Sequence, residues 1–188
     1  NKIYGDFGRA AFNGEKIIDG MNTEGLSVAI LYLPGTKFPV FDSQDKKPVL
    51  AIYDMASFLL SQAKTVDEAL ALLRSHQLVQ SAVKAEEGMF IKDLPVHFAV
   101  RDKTGASAVI EFIEGQTKIY DEAGDVLTNA PAFDWQLKNA DIYRSLLADN
   151  KTPNEIFSKT FPNYEEIYKS TSSKGEANLI GLPGDFTP

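Results

Sequence analysis

The sequence predicts an α+β domain, and three observations support that class. The first half has two stretches with helical spacing of apolar residues, and the second half has short strand-like runs separated by glycine turns. Of the 188 residues, 44% are hydrophobic and 24% are charged, as is typical of a globular protein. A chain of this length can bury a substantial core as one domain.

The first element with a clear pattern is the apolar run from Leu26 to Leu33. It follows the polar, glycine-rich segment 19–25 and ends at Pro34-Gly35. A run of this length that stops at Pro-Gly is typical of a strand. We expect a core strand that is buried on both faces.

Two helices are expected after a loop at residues 36–47. The first is expected from Pro48 to Ala63, because proline is tolerated in a first helical turn and apolar residues dominate one side. Thr65 and Glu68 have the spacing of a capping box, which predicts the start of a second helix. That helix is expected to end between Arg74 and Gln77, with a buried stripe of Val66, Ala69, Leu70 and Leu73.

Four strands are expected as a meander in the second half of the chain. Glycine-containing turns separate the runs, so consecutive strands should pair as hairpins. The expected strands lie at 94–100, 106–113, 117–120 and 126–129, and helices are expected at 134–148 and from Pro153 through Phe157.

The fourth of these strands delivers Asn129 to its end. Ala130-Pro131 then stops the pairing because proline has no N–H. Asn129 would present one carboxamide on a rigid mount, with Phe133, Trp135 and Leu137 anchoring the following segment in a core. From the residues alone, however, a cap or turn residue is the favoured interpretation of an asparagine before a proline turn.

Composition argues against several classes of function. The formal net charge is −7, so the surface repels phosphates, which argues against a nucleic-acid partner. No apolar run reaches the roughly 18 to 20 residues of a membrane span. The chain has no cysteine, which excludes disulfides, thiolate zinc sites and a cysteine nucleophile within these residues.

The remaining titratable residues suggest no complete catalytic set and no metal site. His76 and His97 lie far apart with no acidic residue in a metal-ligand register. In its strand, His97 is expected to be a hydrogen-bonded core or edge imidazole. Glu111 could serve as a catalytic acid, but a carboxylate at the sheet edge is the favoured interpretation.

Four sequence blocks nevertheless resemble a known family. They are Asp19–Leu26, Ile30–Gly35, Leu127–Gln136 and Gly181–Pro188, and they resemble, in this order, the choloylglycine hydrolase family of penicillin V acylases and conjugated bile salt hydrolases. The resemblance implies an αββα four-layer sandwich of the N-terminal nucleophile hydrolase type, here incomplete at both ends. The helix pair and the strand meander agree with it, although other two-layer folds would also fit.

The resemblance also implies a chemistry, in which an N-terminal cysteine attacks a linear amide and no cofactor takes part. Asn129 matches the side-chain donor of the oxyanion hole, and Tyr32 matches the residue whose backbone N–H is the other donor. Tyr32, Phe38, Phe41 and Trp135 would line the pocket for the substrate, a small-molecule amide. Tyrosine at position 32 favours the penicillin V acylases, since bile salt hydrolases often have asparagine there.

The chain also departs from the family pattern, because it begins with Asn1 and lacks the cysteine and the arginine that follows the last block. We therefore expect residues 1–188 to be the central portion of a single hydrolase domain, inactive alone.

A non-catalytic module that binds acyl compounds is the alternative from another class, and an acyl-homoserine lactone acylase would differ only in substrate. Relatives are commonly tetramers, and the resemblance leaves open the bacterial cytoplasm or the periplasm.

Overall fold

The computed structural model describes residues 4–11, 16–84, 90–91, 94–124 and 126–149. The chain divides into two compact units, residues 1–127 and 128–188. Among the described residues, no helix is both long and apolar enough to cross a membrane.

The first unit is built on one large antiparallel sheet. Its strands are β1 (Asp6–Ala11), β2 (Lys16–Asn22), β3 (Ser27–Tyr32), β8 (Val96–Arg101), β9 (Ser107–Ile113) and β10 (Gln116–Asp121). They lie side by side in the order β1-β2-β3-β8-β9-β10. The hairpins β8–β9 and β9–β10 confirm the first three strands of the predicted meander. Two short strands, β6 (Val83–Lys84) and β7 (Phe90–Ile91), pair separately.

Two helices cover one face of this sheet. They are α1 (Met55–Gln62) and α2 (Val66–Arg74). The hydroxyl of Thr65 accepts from the Glu68 N–H at 3.2 Å, as the capping box predicts, while the Glu68 carboxylate accepts from the Lys64 N–H at 3.0 Å and not from Thr65. All four residues of the predicted stripe on α2 are buried. Local sequence therefore determines where α2 begins and which side it buries.

The predicted start of the first helix at Pro48 is wrong. Residues 49–51 form β4 (Val49–Ala51), which pairs in parallel with β5 (Gln77–Val79), and a 3-10 turn at Ile52–Asp54 leads into α1. The Pro48 carbonyl accepts from the Gln77 N–H at 2.8 Å. Pairing with this distant segment overrides the helical spacing of the apolar residues.

The core lies between the helices and the sheet. Alternate side chains of the central strands enter it, because successive residues of a strand point to opposite faces. From β8 and β9 these are Val96, Phe98, Val100, Ala108, Ile110 and Phe112. The core strand predicted at residues 26–33 is confirmed as β3, but its burial on both faces is not. Val28 is buried, whereas Ala29 and Leu31 on the other face are only partly buried.

Glu111 lies inside the sheet, so the predicted carboxylate at the sheet edge is wrong. Both Glu111 and His97 are fully buried, and His97 Nδ1 lies 3.0 Å from Glu111 Oε1. They are on the face of the sheet opposite the helices, since their neighbours in sequence enter the core. His97 is thus the hydrogen-bonded core imidazole that the sequence predicts.

The described part of the second unit is a turn followed by α3 (Phe133–Asp149), which confirms the predicted helix. Phe133 is buried as predicted, but Leu137 is 44% exposed, so its predicted anchoring role is wrong. The short helix predicted at 153–157 and the block at 181–188 lie outside the described residues.

The fourth strand of the predicted meander is wrong, because residues 126–128 are not a strand. The side chain of Gln136 takes the place of a neighbouring strand. Its Oε1 accepts from the Thr128 N–H at 3.2 Å, and its Nε2 donates to the Thr128 carbonyl at 3.2 Å. Before this point, Glu122 and Gly124 have φ angles of 55° and 76°, which turn the chain out of extended geometry.

Candidate functional site

Tyr32, a predicted oxyanion-hole residue, is the last residue of β3. Residues of a central antiparallel strand direct their N–H groups alternately to the two neighbouring strands. The Asn22 N–H donates to the Leu26 carbonyl at 2.9 Å, and the Leu33 N–H donates to the Pro95 carbonyl at 3.0 Å. These bonds fix the alternation. The backbone N–H groups of even-numbered residues of β3 therefore point towards β2, and those of odd-numbered residues point towards β8.

The Tyr32 N–H therefore points away from β8, to the side of β2. The described pairing of β2 with β3 ends where Asp19 lies opposite Ala29, three residues before Tyr32. The Tyr32 N–H thus lies beyond this described β2–β3 pairing. Its side chain is 49% exposed, on the same face of the sheet as Val28.

The chain just after Tyr32 is held firmly. Leu33 is buried, and its carbonyl accepts from the Thr36 hydroxyl at 2.8 Å. Gly35, in the turn between them, has a φ of 87°, which glycine adopts without strain. These contacts fix the direction of the Tyr32 amide from the C-terminal side.

Asn22, in the first family block, fixes the same hairpin from its other end. It is buried, and its Nδ2 donates to the carbonyls of Leu60 and Ala63 at 2.8 and 2.7 Å. Its Oδ1 accepts from the N–H groups of Glu24 and Leu26 at 3.1 and 3.0 Å. From the sequence, Asn22 is only one residue of the polar segment 19–25, and nothing local signals this link between the β2–β3 turn and the end of α1.

Asn129, the other predicted donor, lies in the second unit. It is exposed, in a bend before the cis peptide bond Ala130-Pro131. Gln136 holds the residues on both sides of it, because its Nε2 also donates to the Pro131 carbonyl at 2.7 Å. Asn129 is therefore mounted on a loop that Gln136 supports and not on a strand end. The sequence carried no local signal for this role of Gln136.

The predicted pocket residues are distributed over both units. Phe38 packs its ring against Tyr53 and Phe112, with ring centroids 5.9 and 5.2 Å away, so most of it belongs to the helix-side core. Phe41 is 62% exposed. Trp135 is partly buried in α3 of the second unit. A common pocket for these residues and Tyr32 stays a prediction.

A buried carboxylate in the first unit, that of Asp102, links the sheet to helix α2. Asp102, in the β8–β9 turn, accepts from the Val66 N–H at 3.0 Å and from the Thr104 N–H at 2.8 Å. Burial alone would raise the pKa of Asp102, but these bonds and the Thr104 hydroxyl hold it below its ordinary value. Among the residues that the structure describes, no group of histidine and carboxylate side chains is arranged to hold a metal ion.

Comparison with known proteins agrees with the four sequence blocks. A family model described as linear amide C–N hydrolases, choloylglycine hydrolase family, matches residues 2–188. The bile salt hydrolase/transferase of Clostridium perfringens is 30% identical over 176 residues, which are 90% of this chain and 48% of that protein. The penicillin V acylase of Pectobacterium atrosepticum is 33% identical over 139 residues, 71% of this chain and 36% of that protein.

A solved structure shows the same likeness in three dimensions. It is a variant of the conjugated bile acid hydrolase from Clostridium perfringens, which matches with a TM-score of 0.63 and 28% identity over 74% of this chain and 42% of that one. The predicted α+β fold of the N-terminal nucleophile hydrolase type is thereby confirmed. The chain spans about half the length, or less, of the relatives it matches.

Proposed function

Because the chain belongs to the choloylglycine hydrolase family of linear amide C–N hydrolases, we propose that it supplies the oxyanion hole of an amidase. The two donors are the backbone N–H of Tyr32 and the side-chain carboxamide of Asn129. The observation that carries this proposal is the direction of the Tyr32 N–H, which points away from β8 and lies beyond the described β2–β3 pairing.

The chemistry of amide cleavage explains why two such donors are useful. When a nucleophile attacks the amide carbon, negative charge develops on the former carbonyl oxygen. Donors that are already in place stabilise this charge, and loss of one typically raises the barrier by about 2.7 to 4 kcal/mol. A carboxamide does not titrate, so Asn129 donates at every working pH.

The proposal requires a nucleophile that these 188 residues do not contain, since the chain has no cysteine. We place it in a longer polypeptide, as an N-terminal cysteine whose thiolate attacks the amide. In that polypeptide, residues 1–188 are the central portion of one hydrolase domain. Assembly as a tetramer belongs to the same proposal.

We assign the substrate to the penicillin V acylase type, an amide with an aromatic acyl group. The ring of Tyr32 is half exposed at the end of β3, so it can contact such a group edge-on or in an offset stack. Bile salt hydrolysis is the second candidate, because relatives with that activity match the chain over 90% of its length.

Kinetics of the longer hydrolase test the oxyanion hole. Asn129→Ala is expected to lower kcat by about 100- to 1,000-fold, because it removes one donor. Asn139→Ala, on α3 of the same unit, is the matched control and should leave kcat within about twofold of wild type. Wild-type kcat in Asn129→Ala would overturn the assignment.

Substrate assays and the identity of the N-terminal residue test the wider proposal. We expect the longer hydrolase to turn over penicillin V faster than glycocholate. We expect the 188-residue chain alone to turn over neither substrate. Intact mass of the mature longer protein should show cysteine at its N-terminus. Another residue there would instead support a non-catalytic module that binds acyl compounds.

A further inference from the structure

His97 and Glu111 form a buried polar pair on the sheet face opposite the helices. The Asp102 N–H donates to the Ala106 carbonyl at 3.1 Å, which fixes the alternation of hydrogen bonds between β8 and β9. By that alternation, His97 and Glu111 lie opposite each other at a position without backbone bonds, where side chains approach most closely. Their 3.0 Å contact links the two strands.

One atom of this pair is left without a partner. His97 Nε2 is buried and has no hydrogen-bond partner among the described residues. An unsatisfied buried polar atom destabilises a protein, and an apolar side chain would avoid that penalty. Natural proteins keep an unsatisfied buried polar atom of this kind mainly at or near a functional site.

The pair lies beside the end of β3 that carries the proposed oxyanion donor. His97 is directly opposite Leu31, and Val96 is directly opposite Tyr32. By the alternation on β3, Leu31 and His97 exchange backbone hydrogen bonds. The row Leu31, His97, Glu111 therefore connects β3, β8 and β9 one residue before Tyr32.

We propose that His97, oriented by Glu111, is a positioning residue for the Tyr32 N–H, an inference that rests on the proposed function. The contact with Glu111 prevents β8 from shifting or twisting at His97. Backbone bonds from His97 hold Leu31, and Leu31 fixes where the following amide points. The pair acts through the strands and does not touch the reacting atoms.

Kinetics of the longer hydrolase provide the first test. His97→Leu is expected to lower kcat by about 10- to 100-fold, because a small displacement of a catalytic group has effects of that size. KM should stay within about twofold of wild type, and His97→Gln, which can still bind Glu111, should recover part of kcat. The matched control is His76→Gln, which lies two residues after α2 and outside this row.

Hydrogen exchange in the 188-residue chain provides the second test and needs no activity. The Leu31 amide is expected to exchange about tenfold faster in His97→Leu and in Glu111→Gln than in His76→Gln. Unchanged exchange in both would overturn the proposal. If His97→Leu does not fold, Glu111→Gln still provides the test.

The two tests also separate this inference from the proposed function. A longer wild-type protein without amidase activity contradicts the proposed function, while the exchange of Leu31 still tests the link between the strands. An active wild type with unchanged kcat in His97→Leu contradicts the positioning role alone. Equal loss of kcat in His97→Leu and His97→Gln would also overturn it, since the pair would then be merely structural.

Discussion

Asp102 provides the sharpest test of how the first unit is held together. It is buried, with only 6% of its surface exposed, and it caps α2 from the β8–β9 turn. Its carboxylate accepts from the Val66 N–H and from the N–H and hydroxyl of Thr104. The Val66 N–H lies in the first turn of α2, where the helix itself supplies no acceptor.

Asp102→Ala removes all of these bonds at once. Hydrogen bonds to a charged group contribute about 1.5 to 3 kcal/mol each, but exposed Thr104 can bind water instead. Val66 is buried, so its N–H loses its acceptor outright. We expect the free energy of unfolding to fall by about 2 to 4 kcal/mol, and by less in Asp102→Asn, which keeps an acceptor oxygen.

Urea denaturation followed by far-UV circular dichroism measures this change. The matched control is Asp67→Asn, which removes an exposed charge from the first turn of the same helix and should cost less than about 1 kcal/mol. Equal effects of Asp102→Ala and Asp67→Asn would refute the capping argument, since only general helix electrostatics would then be at work.

The pH dependence of the same variant follows from the lowered pKa of Asp102. A group whose pKa is lower in the folded state binds its proton more readily in the unfolded state. Its contribution is present above the ordinary value of 3.8 and is lost as the pH falls through the folded pKa. The stability difference between wild type and Asp102→Asn should therefore shrink below pH 3.8, and a constant difference would contradict this.

Two further changes probe the candidate site. Asn22→Ala should lower the free energy of unfolding by roughly 2 to 4 kcal/mol, because buried main-chain groups such as the Leu60 and Ala63 carbonyls lose their partner; urea denaturation checks this, and a loss no larger than that in Asn139→Ala would contradict it. Tyr32→Asn should shift the kcat/KM ratio of the longer hydrolase towards glycocholate and away from penicillin V by roughly tenfold. An unchanged ratio would show that the Tyr32 ring does not select the acyl group.

Local signals predicted much of the fold correctly. The Thr65 cap and the apolar stripe of α2 lie within a few residues of one another, so the sequence alone specifies them. The same is true of the β8–β9 and β9–β10 hairpins, whose turns contain glycine. Resemblance of four blocks predicted the family, which the family model confirms.

Long-range contacts account for the errors. β4 was predicted as helix because its partner, β5, lies 28 residues further along the chain and leaves no mark on the local pattern. Glu111 was expected at an edge because its partner His97 is on another strand. The direction of the Tyr32 N–H could not be read from the sequence, since it depends on the register of β3 with both neighbours.

The most direct test of the oxyanion hole is a crystal structure of the longer hydrolase with a phenoxyacetyl group bound as an inert amide. The account predicts that the Tyr32 nitrogen and the Asn129 Nδ2 both lie about 2.7 to 3.1 Å from the position of one acyl oxygen. An acyl oxygen that contacts neither group, or donors directed at separate cavities, would contradict it.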